Sequence, residues 1–162
     1  MLTSVQNLHL IGAHGNQFIF WRKFYMDYKI VSLNESQINE IEEQLDEFDQ
    51  KHVTYKMDGN VSIGIEYNGK IIAGLNASIT AFRILYVSTV FVQEKFRRIG
   101  LGRAMMSKME CEAKKMGVNM IRLDTFGYQG VNFYKSLDYE IVGHYANKID
   151  NFEEYFFVKH LL

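Results

Sequence analysis

The chain of 162 residues contains no proline and one cysteine, Cys111. Without proline its turns must be built from Gly, Asn, Asp and Ser. One cysteine excludes an intrachain disulfide and gives no metal-ligand cluster, which fits a reducing compartment and sets a cytoplasmic location as the expectation. Long apolar runs are also missing. None approaches the ~18 residues of a membrane span, and no basic segment leads into a long apolar one near the start, so neither a membrane partner nor secretion is expected. There is no internal repeat and no low-complexity linker. Net charge is equally scarce: 18 Lys and Arg against 19 Asp and Glu give −1, which excludes a strong overall field. Nucleic acid would have to be met by a local patch. The one dense patch is Lys95, Arg97, Arg98 and Arg103, with no acid among residues 95 to 103, and the near-neutral total argues against nucleic-acid binding.

What the chain does have is apolar material, 48% hydrophobic and 14% aromatic residues, enough for the core of one globular unit. Residues 1 to 24 hold two short apolar runs around Gly12 to Gln17 and read either as a hairpin or as an extension; Tyr28 to Val31 is strand-like. Ile38, Ile41, Leu45, Phe48 and His52 recur at helical spacing over residues 34 to 52, with Asn34 and Gln37 as a capping box and an acidic solvated face opposite. Alternation from Val61 to Tyr67, then Asn68-Gly69, then Ile71 to Ile79 predicts an antiparallel hairpin. Ile84 to Val92 is nearly continuous and apolar, as in a strand covered on both faces. A helix comes next that buries Leu101, Met105, Met109 and Met116 and ends at Gly117; Cys111 on it reads as inert. Val118 to Asp124 is a strand, Gly130 to Leu137 a short helix, and Tyr139 to Tyr145 and Glu154 to His160 a closing hairpin. The expected fold class is α/β of the α+β kind: a mixed, mostly antiparallel twisted sheet with flanking helices, in which the crossover from Ile84–Val92 to Val118–Asp124 makes those two strands parallel.

Between Val90 and Ala104 an apolar strand runs into a basic turn, Gly100 and Gly102 come after it, and a helix starts at once. Glycines let backbone approach a ligand closely, and the first turn of a helix offers unpaired N–H groups at its positive end, so the stretch is an anion cradle. Arg97-Arg98-Ile99-Gly100-Leu101-Gly102 fits the Q/R-x-x-G-x-G/A signature, and Phe133-Tyr134-Lys135-Ser136-Leu137-Asp138-Tyr139 resembles the second motif, of the GNAT superfamily of acetyl-coenzyme A dependent N-acetyltransferases. The resemblance covers roughly Tyr25 to Leu161. Leu123 to Gln129 and Tyr155 to Lys159 look like a bacterial subgroup of small acetyltransferases. Three departures stand out: Arg98 and Asp138 occupy frequent glycine positions, and Gly127 and Gly130 stand where many members have Asn and Ala.

The resemblance implies acetyl-coenzyme A as cosubstrate, without a metal, and transfer of the acetyl group to an amine of a small molecule or peptide by direct attack. It implies that the pyrophosphate meets the N–H groups from Arg98 to Ala104, with Arg97, Arg98, Ile99, Gly100, Leu101, Gly102, Arg103 and Ala104 as the cradle. The coenzyme's arm would lie along backbone groups of Val90, Phe91 and Val92, one of whose N–H groups would meet the oxyanion. Tyr134 is the expected general acid. Candidate bases are Glu66, Asp124 and His144, with Asp124 preferred either as base or as an orienting group; Gln129 either binds substrate or anchors its loop. A non-catalytic coenzyme A binding or sensing module is the alternative, motivated by Arg98, Gly127 and Asp138. Acceptor identity is left open, and so is the oligomeric state, a homodimer included.

Overall fold

The computed structural model describes residues 28–53 and 58–161. By its contacts the chain divides into two units, Met1–Glu40 and Ile41–Leu162. The hairpin or extension expected over residues 1 to 24 lies outside the described residues. Tyr28 to Val31, expected as a strand, has no regular structure. Ile30 is 95% exposed, and among the described residues these positions pair with no other strand, so their backbone groups have no ladder to join.

Helix α1 (Glu35–Gln50) starts where the capping box demands it. The N–H of Asn34 donates to Gln37 Oε1 and that of Gln37 to Asn34 Oδ1, each at 3.0 Å, which satisfies two donors that the helix cannot. Its apolar positions Ile38, Ile41, Leu45 and Phe48 are exposed.

Strands β1 (Asn60–Tyr67) and β2 (Lys70–Ile79) are antiparallel. Asn68 and Gly69 between them take φ of 50° and 71°, the paired positive values that a two-residue hairpin turn requires. Next come β3 (Ile84–Val92), helix α2 (Leu101–Lys115), β4 (Met120–Phe126), helix α3 (Val131–Lys135), β5 (Glu140–Asn147) and β6 (Phe152–His160). The sheet order is β1-β2-β3-β4-β6-β5. Only β3 and β4 pair in parallel, through the α2 crossover, and the other neighbours are antiparallel. The expected mixed sheet is present, without the additional leading strand.

The core lies between α2 and the sheet. Met105, Met106, Met109 and Ala113 of α2 are buried with Leu75, Ala77, Leu85, Val87, Ile121 and Leu123. Met106 joins the expected stripe while Leu101 and Met116 are only half-buried, because a core-facing helix buries a band wider than one row of positions. Gly117, with φ of 82°, follows the helix end at Lys115 and its cap Met116, and the Val118 N–H closes back on the Ala113 carbonyl at 3.0 Å.

Coverage of β3 differs from the expectation. Leu85 and Val87 are buried, but Ser88 and Thr89 are exposed and Phe91 is 54% exposed. The strand is covered on one face only.

Candidate active site

Strand β3 carries one extra residue. Asn76 of β2 pairs with Thr89 and Ala77 with Val87, so Ser88 is a bulge that bends the strand and re-aims the residues from Thr89 onward. Pairing with β4 ends at the same place: the last matched pair is Val87 with Leu123. Beyond it β3 keeps β2 on one side while β4 keeps β6 on the other. Among the described residues the edge of Ser88 to Val92 facing β4 therefore has no strand partner, in the middle of a six-stranded sheet. A cleft of about 1130 Å³ opens there, lined by this edge, by the turn before α2, by Asp124 and Thr125, and by the loop and helix from Gly127 to Tyr134.

At one end of the cleft is the turn. Gly100 has φ of 93° and caps α2 in a left-handed conformation. The first helical bond runs from the Ala104 N–H to the Gly100 carbonyl at 3.0 Å, so the Ala104 amide is committed. Among the described residues the amides from Arg98 to Arg103 donate to no backbone acceptor, which leaves a run of free N–H groups at the positive end of a helix. Gly102 makes room for the neighbouring helix: a Cβ there would lie 3.0 Å from Phe133 Cζ.

The basic residues of the turn divide by task. Arg97 Nε donates to the Val92 carbonyl at 2.9 Å and Arg103 Nη2 to the Ser136 carbonyl at 3.1 Å, so these two hold the turn to β3 and to the end of α3. Arg98 has φ of 65° and lines the cleft, and its guanidinium makes no hydrogen bond or ion pair among the described residues. An arginine thus occupies the left-handed position directly. Asp138 does the same after α3, with φ of 64°. Ile99, also assigned to the cradle, is exposed and does not line the cleft.

At the other end stands Tyr134. It is 8% exposed, packed against Phe133, Tyr139 and Phe157, and lines the cleft. Its hydroxyl has no partner among the described residues. Gly130 is required beneath it, since a Cβ at that position would lie 2.8 Å from Tyr134 Cε2. Burial, and secondarily the charge of Asp124, push the phenol up to about 12. Above pH ~10 the unfolded chain releases this proton while the folded protein keeps it, so stability is lost as pH rises from ~10 through 12. Tyr139 is raised in the same direction, first by burial and then by Glu110. The urea midpoint is expected to stay level from pH 7 to 9 and fall above 10, less steeply in Tyr134→Phe; an equally steep fall in the variant would disprove the assignment.

Asp124, at the end of β4, lines the cleft and accepts a hydrogen bond from Tyr86 Oη at 2.8 Å. Neither Glu66 nor His144 lines it; Glu66 is on β1, and His144 is stacked on Tyr155 with ring centroids 5.4 Å apart. Gln129 Oε1 accepts from the Phe126 N–H at 3.0 Å and from Thr125 Oγ1 at 3.3 Å, anchoring the loop, while the residue borders the cleft. Sequence reasoning missed the bulge residues Ser88 and Thr89, although they are the one polar interruption of the apolar run and so carried a signal. It also missed the Tyr86–Asp124 bond, which spans 38 residues and had none.

Solved structures share this architecture. An acetyltransferase from Bacillus cereus superposes with a TM-score of 0.76 at 25% identity, over 83% of this chain and 98% of the other. The ribosomal-protein-S18-alanine N-acetyltransferase of Escherichia coli gives 0.55 at 16% identity, over 80% and 91%. An aminoglycoside 6'-N-acetyltransferase complexed with coenzyme A gives 0.57 at 15% identity, over 80% and 82%. Among curated proteins none matches the chain in sequence. Residues 19–139 match the acetyltransferase (GNAT) family, and with the cradle, the split sheet and Tyr134 in place the chain belongs to that family of acyltransferases.

Proposed function

We propose that this acyltransferase moves an acetyl group from acetyl-coenzyme A to a primary amine of a small molecule or peptide, by direct attack in a ternary complex. The observation that carries this reading is the bare edge of β3 beyond Ser88, which opens into one cleft with the amide cradle and the Tyr134 hydroxyl. A coenzyme with a pyrophosphate, a hydrogen-bonding arm and a thioester needs those features in that order. The amides of Arg98 to Arg103, with the Arg98 guanidinium, hold the pyrophosphate. Backbone groups of Val90, Phe91 and Val92 pair with the arm as a strand would, and an N–H of β3 beside the bulge donates to the oxyanion.

Having lost its ammonium proton, the amine nitrogen attacks the thioester carbonyl; the C–S bond breaks, the thiolate takes the Tyr134 proton, and the second proton that the nitrogen sheds as the amide forms restores the Tyr134 phenol. A phenol at about 12 is a weak acid toward a thiol of pKa ~8.5 in water. The burial that raises the phenol acts in the same direction on a thiol bound in the same cleft. Asp124 receives the ammonium proton or orients the amine. Arg98 and Asp138 hold left-handed backbone that glycine would hold, which weakens two of the three grounds for a purely non-catalytic module and leaves Gly127.

The test is a panel of amines with acetyl-coenzyme A, following free thiol and acetylated product. Equal amounts of both are expected from at least one amine; tight coenzyme binding with no turnover on any amine would overturn the reading. Arg98 and Asp138 supply a paired prediction. An arginine in left-handed backbone costs ~1 kcal/mol, partly offset by the unfolded-state entropy of glycine, and aspartate tolerates that backbone better. Arg98→Gly is expected to stabilise the fold by about 0.5–1 kcal/mol and to weaken coenzyme A binding about tenfold, as loss of a charged hydrogen bond should. Asp138→Gly is expected to stabilise less and leave binding unchanged. Calorimetry and urea unfolding check both, and equal binding losses would show that the two turns act only through backbone shape.

A further inference from the structure

Asp124 is the first residue of β4 beyond the last pair with β3, Val87 with Leu123. It stands level with the bulge residue Ser88, where the two strands part. Burial alternates along β4: Ile121, Leu123 and Thr125 are buried, and Ile121 and Leu123 belong to the core that α2 covers. Arg122 and Asp124 therefore project from the opposite face. Tyr134 is part of the α2-side core, so it and Asp124 line one cleft from the two faces of the sheet. The Asp124 charge helps to raise the Tyr134 phenol, which puts the carboxylate within electrostatic reach of the proton donor.

One side chain holds that carboxylate. Tyr86 is directly opposite Arg122 in the parallel register, hence diagonal to Asp124 on the same face. Its hydroxyl spans the diagonal and donates to Asp124 Oδ1 at 2.8 Å. The ring is held as well, with the Arg122 guanidinium 4.5 Å from its centroid. Arg122 is thereby engaged by the ring and forms no ion pair with Asp124 among the described residues. The Tyr86 phenol is raised first by its bond to Asp124 and then by burial, with Arg122 opposing and Glu154 adding least, so it stays a protonated donor. Among the described residues Asp124 Oδ1 has this one partner and Oδ2 has none. Tyr86 does not itself line the cleft. It reaches the site only through Asp124.

We infer that Tyr86 is a positioning residue of the reaction: by tying down Oδ1 it presents Asp124 Oδ2 to the acceptor nitrogen as the group that takes its ammonium proton. This deepens the amine-acetyltransferase reading and rests on it. Without the bond the carboxylate would turn about its own side-chain torsions at the point where the sheet splits. With the bond its second oxygen has a fixed place, which proton transfer over hydrogen-bond distance requires. One N–H bond breaks and one O–H bond forms at Oδ2. The nitrogen keeps the electron pair with which it attacks the thioester, and Asp124 returns the proton to water before the next turnover. Tyr86 keeps its own proton throughout.

The experiment compares wild type, Tyr86→Phe, Asp124→Asn and the double variant as full chains with acetyl-coenzyme A and butylamine, alongside whichever amine of the panel gives most product. Tyr86→Phe keeps the ring for Arg122 and loses only the hydroxyl. It should lower kcat about 10-fold, as loss of a hydrogen bond to a charged group does, with coenzyme A binding by calorimetry within about twofold of wild type. Asp124→Asn should lower kcat about 10²-fold. Adding Tyr86→Phe to it should cost less than about twofold more, because the two side chains act as one unit. A second readout isolates the proton. 2,2,2-Trifluoroethylamine is largely unprotonated at neutral pH and needs no base, so the ratio of wild type to Tyr86→Phe should shrink to within about threefold with it. A bond that only supported the fold would cost both amines alike. Losses that multiply in the double variant, an equal ratio for the two amines, or a loss confined to KM for the amine would overturn the inference while leaving N-acetyl transfer intact. If the wild type releases no thiol with any amine, the underlying reading fails and the inference falls with it.

Discussion

Replacing Tyr134 with phenylalanine is expected to lower kcat by roughly 10²-fold to 10³-fold, the usual contribution of a positioned proton donor. Stability should change by less than about 0.5 kcal/mol at neutral pH, because the hydroxyl bonds to nothing in the described protein and the ring keeps its contacts with Phe133, Tyr139 and Phe157. Those two outcomes together separate a catalytic phenol from a core tyrosine. A second readout isolates the proton. Acyl donors whose leaving thiols are more acidic need protonation less, so the gap between wild type and variant should shrink along a series of thioesters of falling thiol pKa. Single-turnover thiol release, under conditions where chemistry limits, is the measurement. A variant as fast as wild type would remove Tyr134 from the mechanism, and a constant gap across the series would leave it a role in binding alone.

How far such a site can be read in advance depends on the range of the physics involved. Asn68-Gly69, Asn34 with Gln37, and Gly117 each announce themselves because a turn or cap is decided within a few residues. Gly100 belongs to the same class, since its positive φ is a local need, so the candidate anion cradle was legible, whereas what excludes a Cβ at Gly102 is Phe133 of another helix. Ser88 was only half legible. Its polarity broke an apolar run, but that it would be the extra residue of a bulge depends on β2 keeping register from Ala73 to Ile79, a pairing no local rule specifies. The insertion of β6 between β4 and β5 is a tertiary outcome of the same kind, and it is what brings Glu154 beside Asp124. Tyr28 to Val31 failed in the opposite sense: strand-like composition does not make a strand without a neighbour.

The long-range contact with the largest expected consequence joins α2 to the last strand. Lys159 Nζ donates to both oxygens of Glu110, each at 2.9 Å, and to the Leu137 carbonyl at 2.9 Å. The Tyr139 hydroxyl donates to the same carboxylate at 3.1 Å. With the Lys and Glu side chains 22% and 19% exposed, the pair is partly dry. Removing one partner strands the other, at a cost below the 3–5 kcal/mol of a fully buried pair. Lys159→Met is therefore expected to destabilise by about 2–3 kcal/mol in urea unfolding, and Glu110→Leu by a similar amount. The double variant should recover most of the loss, since two apolar side chains leave no uncompensated charge; equal and additive losses would contradict this. The same clamp holds the site. The N–H groups of Leu137 and Tyr139 both donate to the Tyr134 carbonyl, at 3.0 and 3.2 Å, so the residues that Lys159 fixes are those that fix the backbone of Tyr134. Lys159→Met should thus lower kcat several-fold more than it weakens coenzyme A binding, because it loosens the backbone of Tyr134 directly, whereas the turn before α2 keeps its bond to the Val92 carbonyl of β3.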